Sequence, residues 1–199
     1  MLIHTTGAAP TRPIRPNLPL RPGEDQRPRN QPEPTDFGAL DVLAGAPVPS
    51  TAVEVCRADG FDLNSGAKIT GGAGALLVGG EAFVWRPWEV SSSSSSGKEG
   101  GKGKRKLLNA KGQWEVQEEA FGLLGLIWPR PDLLIIGTGP SIRPLSPATR
   151  QLISNLGMRV EVLDTRNAAS QYNLLATERG VDDVAAALIP LGWKEDDVE

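Results

Sequence analysis

Pro131-Asp132-Leu133-Leu134-Ile135-Ile136-Gly137-Thr138-Gly139 is the stretch whose reading decides the fold. Its core, 132–136, is apolar on both alternating faces. That pattern marks a strand covered on both sides, as in a parallel sheet. Working downstream, Ser146 is placed to cap a helix, Pro147 fits its first position, Leu152, Ile153 and Leu156 form its buried stripe, and Gly157 stops it. A second strand follows over 158–163. Thr165 or Asn167 can cap a further helix, whose stripe is Ala168, Tyr172, Leu175 and Ala176 and whose end is Gly180. A last strand over 184–189 is closed by Pro190. Strand, helix, strand, helix, strand with short links predicts parallel strands joined by right-handed crossovers.

Working upstream, Val116, Ala120, Leu123, Leu124 and Ile127 fall at i, i+4, i+7, i+8 and i+11, which predicts one helix ended by Pro129. Before it the texture is that of an antiparallel meander. Strands are predicted from Val53 to Val55, from Ala67 to Thr70, from Ala75 to Val78 and from Ala82 to Trp85, with Gly79-Gly80 as a hairpin turn. The expected architecture is an α/β layered sandwich with a mixed sheet, the antiparallel meander followed by parallel βαβαβ.

Residues 1–50 hold ten of the 17 prolines and almost no aromatics, and are expected to form a disordered, locally extended tail. Arg12, Arg15 and Arg21 precede the first acid, Glu24, which hints at mitochondrial import; the proline spacing forbids an import helix after about Ala9, and a solvated linker is the competing reading. Residues 91–112 carry six serines and then six cations against the single acid Glu99, and are expected to be a low-complexity insertion. The folded domain is therefore expected over 51–193, with an acidic tail at 194–199.

Composition narrows the chemistry. Cys56 is the only cysteine and His4 the only histidine. A thiolate zinc site and an internal disulfide are excluded, and Cys56 reads as a buried small apolar residue. Ser-His-Asp and Cys-His catalysis need a histidine in the core, and His4 lies in the tail. The net charge of −3 does not suit a nucleic-acid coat, and no aromatics interleave the cations of the insertion, so no nucleic-acid partner is expected. An electrostatic contact of residues 98–111 with an acidic or lipid surface is the sharper alternative to a solvated linker.

Two loops follow strands at one edge of the predicted sheet, where open α/β sheets bind ligands. Gly137-Thr138-Gly139 is a poor nucleotide match, because the dinucleotide pattern wants a third glycine where Ile142 stands and Pro140 removes an amide. Arg143, Asp164 and Asn167 could converge there. The plainer reading has Asp164, Thr165 and Asn167 capping a helix and Arg143 pairing with Asp164. Asp164 has no partner acid or histidine for acid-base work.

The motifs Pro131–Gly139, Arg143-Pro144-Leu145, Gly157-Met158-Arg159-Val160-Glu161, Asp164-Thr165-Arg166-Asn167-Ala168 and Tyr172-Asn173-Leu174-Leu175, in this order and spacing, resemble the family of mitochondrial NADH:ubiquinone oxidoreductase (complex I) assembly factor 3. The resemblance takes in most of residues 51–192, including the segment from Phe61 to Gly80 and the helix from Trp114 to Pro131. It implies a three-layer α/β sandwich and a non-enzymatic, chaperone-like protein without a cofactor. It implies a place in the mitochondrial matrix, peripheral on the inner membrane, and a role in early assembly of the quinone module. It implies complex I assembly factor 4 and early quinone-module subunits as partners. The proline-rich tail and the insertion depart from the family. The candidate ligand- or partner-binding residues are Gly137, Thr138, Gly139, Arg143, Asp164, Thr165, Asn167 and Asn173. The alternative function is a small-molecule or anion-binding protein using the Gly137–Arg143 and Asp164–Asn167 edge.

Overall fold

The computed structural model describes residues 47–89 and 106–195. The expectations for residues 1–46, for 90–105 of the insertion and for 196–199 lie outside the described residues.

Among the described residues, eight strands build two sheets. The first is small and antiparallel, with β1 (Val53–Cys56), β2 (Phe61–Leu63) and β3 (Lys68–Ile69) in that order. The second contains β4 (Gly74–Val78), β5 (Glu81–Trp85), β6 (Leu133–Gly137), β7 (Arg159–Leu163) and β8 (Val184–Leu188), in the order β5-β4-β8-β6-β7. β7, β6 and β8 are parallel, and β8 meets β4 antiparallel, so the sheet is mixed as expected. The predicted meander divides. Its β4–β5 hairpin extends the large sheet, while β1–β3 covers it.

Local chemistry explains several elements. Gly79 and Gly80 both adopt positive φ, at 59° and 74°, which a two-residue turn with strand-matched twist requires. Gly60 is needed for a different reason: a Cβ there would stand 1.8 Å from the Ile69 carbonyl oxygen, so the residue leading into β2 has no side chain. Helix α2 (Pro147–Asn155) starts as anticipated, with the Ser146 hydroxyl accepting from the Thr149 amide at 3.1 Å and Pro147 in the first turn. Helix α3 (Thr165–Arg179) is capped by Asp164, not by Thr165 or Asn167. Its carboxylate accepts from the Arg166 and Asn167 amides at 3.1 and 3.2 Å.

The predicted helix over 116–127 is a correction. Trp114 instead bridges Leu108 and Leu145, a 3-10 turn spans Glu118–Phe121, and only α1 (Gly122–Leu126) is α-helical. Gly122 and Gly125 weaken helix here, and the bridge holds the chain extended at Trp114. The apolar spacing still marks the buried side, since Val116, Ala120 and Leu124 are in the core. β2 is a further strand beyond those expected. The insertion ends earlier than 112: Leu107 is 1% exposed, and the Leu107 and Leu108 amides donate to Glu195.

Two apolar cores fill three layers. On one face of the large sheet, Trp85, Leu134, Ile136, Ala185 and Ala187 meet Phe121, Leu124 and, from α2, Ile153. On the other, Ala75, Leu77, Ile135, Ala186 and Leu188 meet Ala168 and Tyr172 of α3 together with Val53, Phe61 and Leu63 of the small sheet. Each fully buried large side chain contributes about 1.5–3 kcal/mol. β8 is buried throughout, and its run of three alanines leaves room for close packing on both faces.

Candidate functional site

Gly137 ends β6, and the chain cannot carry a side chain there. A Cβ would lie 2.9 Å from both Leu188 Cδ2 and Thr165 Cα. Thr138 then organises the loop. Its hydroxyl accepts from the Arg143 amide at 3.1 Å, and the Ser141 and Leu163 carbonyls stand ready for its proton at 2.9 and 3.1 Å. The Gly139 amide donates to the fully buried Thr165 hydroxyl at 2.9 Å, which in turn donates to the Ile189 carbonyl. Thr165 thus ties together the ends of β6 and β8 and the start of α3.

Trp114 is held beside this loop by backbone bonds. Its amide donates to the Pro144 carbonyl at 2.7 Å, and its own carbonyl accepts from Ser146 at 2.9 Å. The segment after β8 arrives from the other side, where Trp193 rests on Trp88 with ring centroids 6.1 Å apart. Between them lies a cavity of about 380 Å³, walled by Thr138, Pro140, Ser141, Arg143, Leu108, Trp114, Trp193, Lys194 and Glu195. Among the described residues Arg143 and Lys194 form no ion pair. The indoles of Trp114 and Trp193 belong to the cavity lining, while their N–H groups are themselves buried and have no hydrogen-bond partner among the described residues. Glu195 is committed to the two amides of Leu107 and Leu108. The wall therefore offers donors and positive charge. It suits an acceptor-rich ligand and provides no proton shuttle.

The candidate residues separate. Thr138 and Arg143 line the cavity, with Gly137 and Gly139 shaping the turn behind them. Asp164 and Asn167 are taken up in the α3 cap, where the Asn167 side chain also donates to Asp164. Burial pushes the Asp164 carboxyl up, and the Asn167 side chain with the Asn167 and Arg166 amides outweighs it, leaving the group below its ordinary value. The expected Arg143–Asp164 pair is not formed among the described residues. Asn173 faces away from this edge and binds the backbone of Val53. Cys56 is half-buried, and burial raises its thiol pKa despite the nearby Arg166. No cluster of His, Cys, Asp and Glu among the described residues is arranged for a metal ion.

Sequence reasoning missed Ser141, Trp114, Trp193 and Lys194. One signal was available: parallel β6 and β8 end at the same sheet edge, so the segment after β8 belonged in the same search as the loop after β6.

A family profile described as "Protein of unknown function (DUF498/DUF598)" matches residues 53–189, from the first residue of β1 to just past β8. The chain belongs to this family. Among curated proteins it is similar to "NADH dehydrogenase [ubiquinone] 1 alpha subcomplex assembly factor 3" of Xenopus tropicalis, with 37% identity over 76 residues, 38% of this chain and 40% of that protein. The protein of the same name from Mus musculus is 38% identical over 76 residues, again 38% of this chain and 40% of the relative. The matched region thus spans about 40% of the length of these relatives. Among solved structures, a chain described as an outer membrane protein from Bartonella henselae matches with a TM-score of 0.50 and 15% identity, covering 72% of this chain and 98% of that one. That likeness concerns the fold alone. Among the described residues no helix is long and apolar enough to cross a membrane.

Proposed function

We propose that this protein is an assembly factor for respiratory complex I and acts in mitochondria by binding other proteins. The observation that carries the reading is the match to relatives named complex I assembly factor 3, beside a family domain that runs through every strand of the fold. The role is non-catalytic. Among the described residues the cavity wall holds donors and cations, and the one carboxylate there is already committed to backbone amides.

The surface supports protein binding as the mode of action. Leu126 and Trp128, in and just after α1, are 83% and 89% exposed. Phe83 and Val84 are exposed on β5, the edge strand of the large sheet. An open edge and exposed large apolar side chains are features that partner chains cover. On this reading the partners are early quinone-module subunits of complex I together with assembly factor 4. The site of action is the matrix, with peripheral association at the inner membrane.

Depletion of the protein tests the role. Native gel analysis of mitochondria is expected to show less mature complex I and an accumulated subassembly. Normal mature complex I after complete depletion overturns the proposal. A Leu126→Ser, Trp128→Ser double variant is expected to lose co-purifying complex I subunits while keeping its melting temperature.

A further inference from the structure

We propose that the cavity between the loop after β6 and the segment after β8 binds a small organic anion, whose carboxylate or phosphate oxygens are taken by Arg143 and Lys194. This site is independent of the assembly reading.

Three separate observations converge. The first concerns the lining. One cavity brings Trp114 and the loop residues Thr138, Ser141 and Arg143 together with Trp193 and Lys194 of the segment after β8. Aromatic surface, a hydroxyl and two cations from separate parts of the chain thus meet at one place.

The second is charge. Arg143 and Lys194 contribute two cations without ion-pair partners among the described residues. Among the described residues the one carboxylate in the wall, Glu195, accepts from the Leu107 amide at 2.9 Å and also from that of Leu108. Its charge is thus drawn toward the backbone of the neighbouring segment. Arg143 is suited to a planar, two-oxygen group, which carboxylates and phosphates both present.

The third is position. The chain runs β6, β7, β8, yet β6 lies between the other two. The winding therefore reverses at β6, with α2 packed on one face of the sheet and α3 on the other. In open α/β sheets this reversal, at the carboxyl ends of the strands, is where ligands sit. The cavity lies there, and its volume of about 380 Å³ falls within the roughly 300–1,000 Å³ of small-molecule sites. Leu108, Pro140 and the indole rings supply an apolar wall beside the charged one, which suits an anion with a carbon body.

The test uses the full chain. Tryptophan fluorescence and thermal melting are followed against citrate, inorganic phosphate and AMP, with sodium chloride at matched ionic strength as the control. A saturable response to citrate or to either phosphate, absent with chloride, supports the site, and the comparison identifies the head group. Arg143→Gln and Lys194→Gln are each expected to weaken that binding by about tenfold or more, as the loss of a charge-assisted bond does. Arg150→Gln, on exposed α2 surface, should change nothing. No saturable response to any of the three anions overturns the proposal. So does unchanged affinity in both Arg143→Gln and Lys194→Gln. Complex I levels in cells carrying Arg143→Gln are read separately, so either proposal can fail alone.

Discussion

Asn173 of α3 holds both backbone groups of Val53: the Val53 amide donates to Asn173 Oδ1 at 2.8 Å, and Asn173 Nδ2 donates to the Val53 carbonyl at 2.9 Å. A side-chain amide carries a donor and an acceptor side by side, as a peptide unit does, so it stands in for a strand neighbour at the margin of the small sheet. Asn173→Ala is expected to destabilise by about 1–3 kcal/mol, because both backbone groups lose their partner in a partly buried place. Asn173→Asp keeps the acceptor and loses the donor, and should fall between. Urea unfolding of the three proteins checks the order; equal midpoints would contradict it.

Tyr172 is the chain's only tyrosine, is fully buried and shares a hydrogen bond of 2.8 Å with the Thr51 hydroxyl. Burial raises its phenol above the ordinary value, and the bond to Thr51 lowers it less. An acid whose folded value is raised adds stability below its unfolded value, about 10, and loses it as pH climbs through the folded one. The urea midpoint is therefore expected to drop above about pH 10. Tyr172→Phe should lessen that drop. Ultraviolet difference absorbance on the native protein should place the tyrosine transition above that of the unfolded chain.

Asp164 shows the opposite sign. Its folded carboxyl is held below its ordinary value, so its contribution is present above an unfolded value near 3.9 and is lost as pH falls through the folded one. Asp164→Ala should cost about 1 kcal/mol near neutral pH, the usual worth of a helix cap. Asp164→Asn should recover most of it, since Asn caps as well as Asp. Thermal melts of both variants near neutral pH test the pair. A cost in Asn equal to that in Ala would assign the effect to charge instead of capping.

Trp114 is expected to respond unequally to two substitutions. Trp114→Ala removes a ring packed 6.2 Å from Trp85 and should cost about 3–5 kcal/mol. Trp114→Phe keeps much of the ring and removes a buried N–H without a partner. The relief of that group, about 1–3 kcal/mol, offsets the lost area, so stability should move by about 1 kcal/mol or less. Equilibrium unfolding decides, and a Phe variant as unstable as the Ala variant would show the N–H to be satisfied.

What the sequence carried by itself were the elements whose causes lie within a few residues. Ser146, Pro147 and Gly157 bound α2 because capping, a preset φ and a positive φ of 82° are local properties. Gly79 and Gly80 turn the hairpin for the same reason, and the unbroken apolar run from Leu133 to Ile136 marks a doubly covered strand wherever the chain places it. From this the α/β class and the parallel second half were legible. The resemblance to complex I assembly factor 3 rested on the same motifs, and relatives of that name match the chain. Tertiary structure alone decided the rest. The spacing of Val116, Ala120 and Leu124 fits a helical stripe, yet Trp114 is drawn into a bridge with Leu145, 31 residues away in sequence. The separation of β1–β3 from β4–β5, and the position of β6 between β7 and β8, follow from which apolar faces find cover. The cavity is of this second kind: Trp114, Arg143 and Trp193 share no local pattern, and only packing of the strands that carry their loops brings them to one wall.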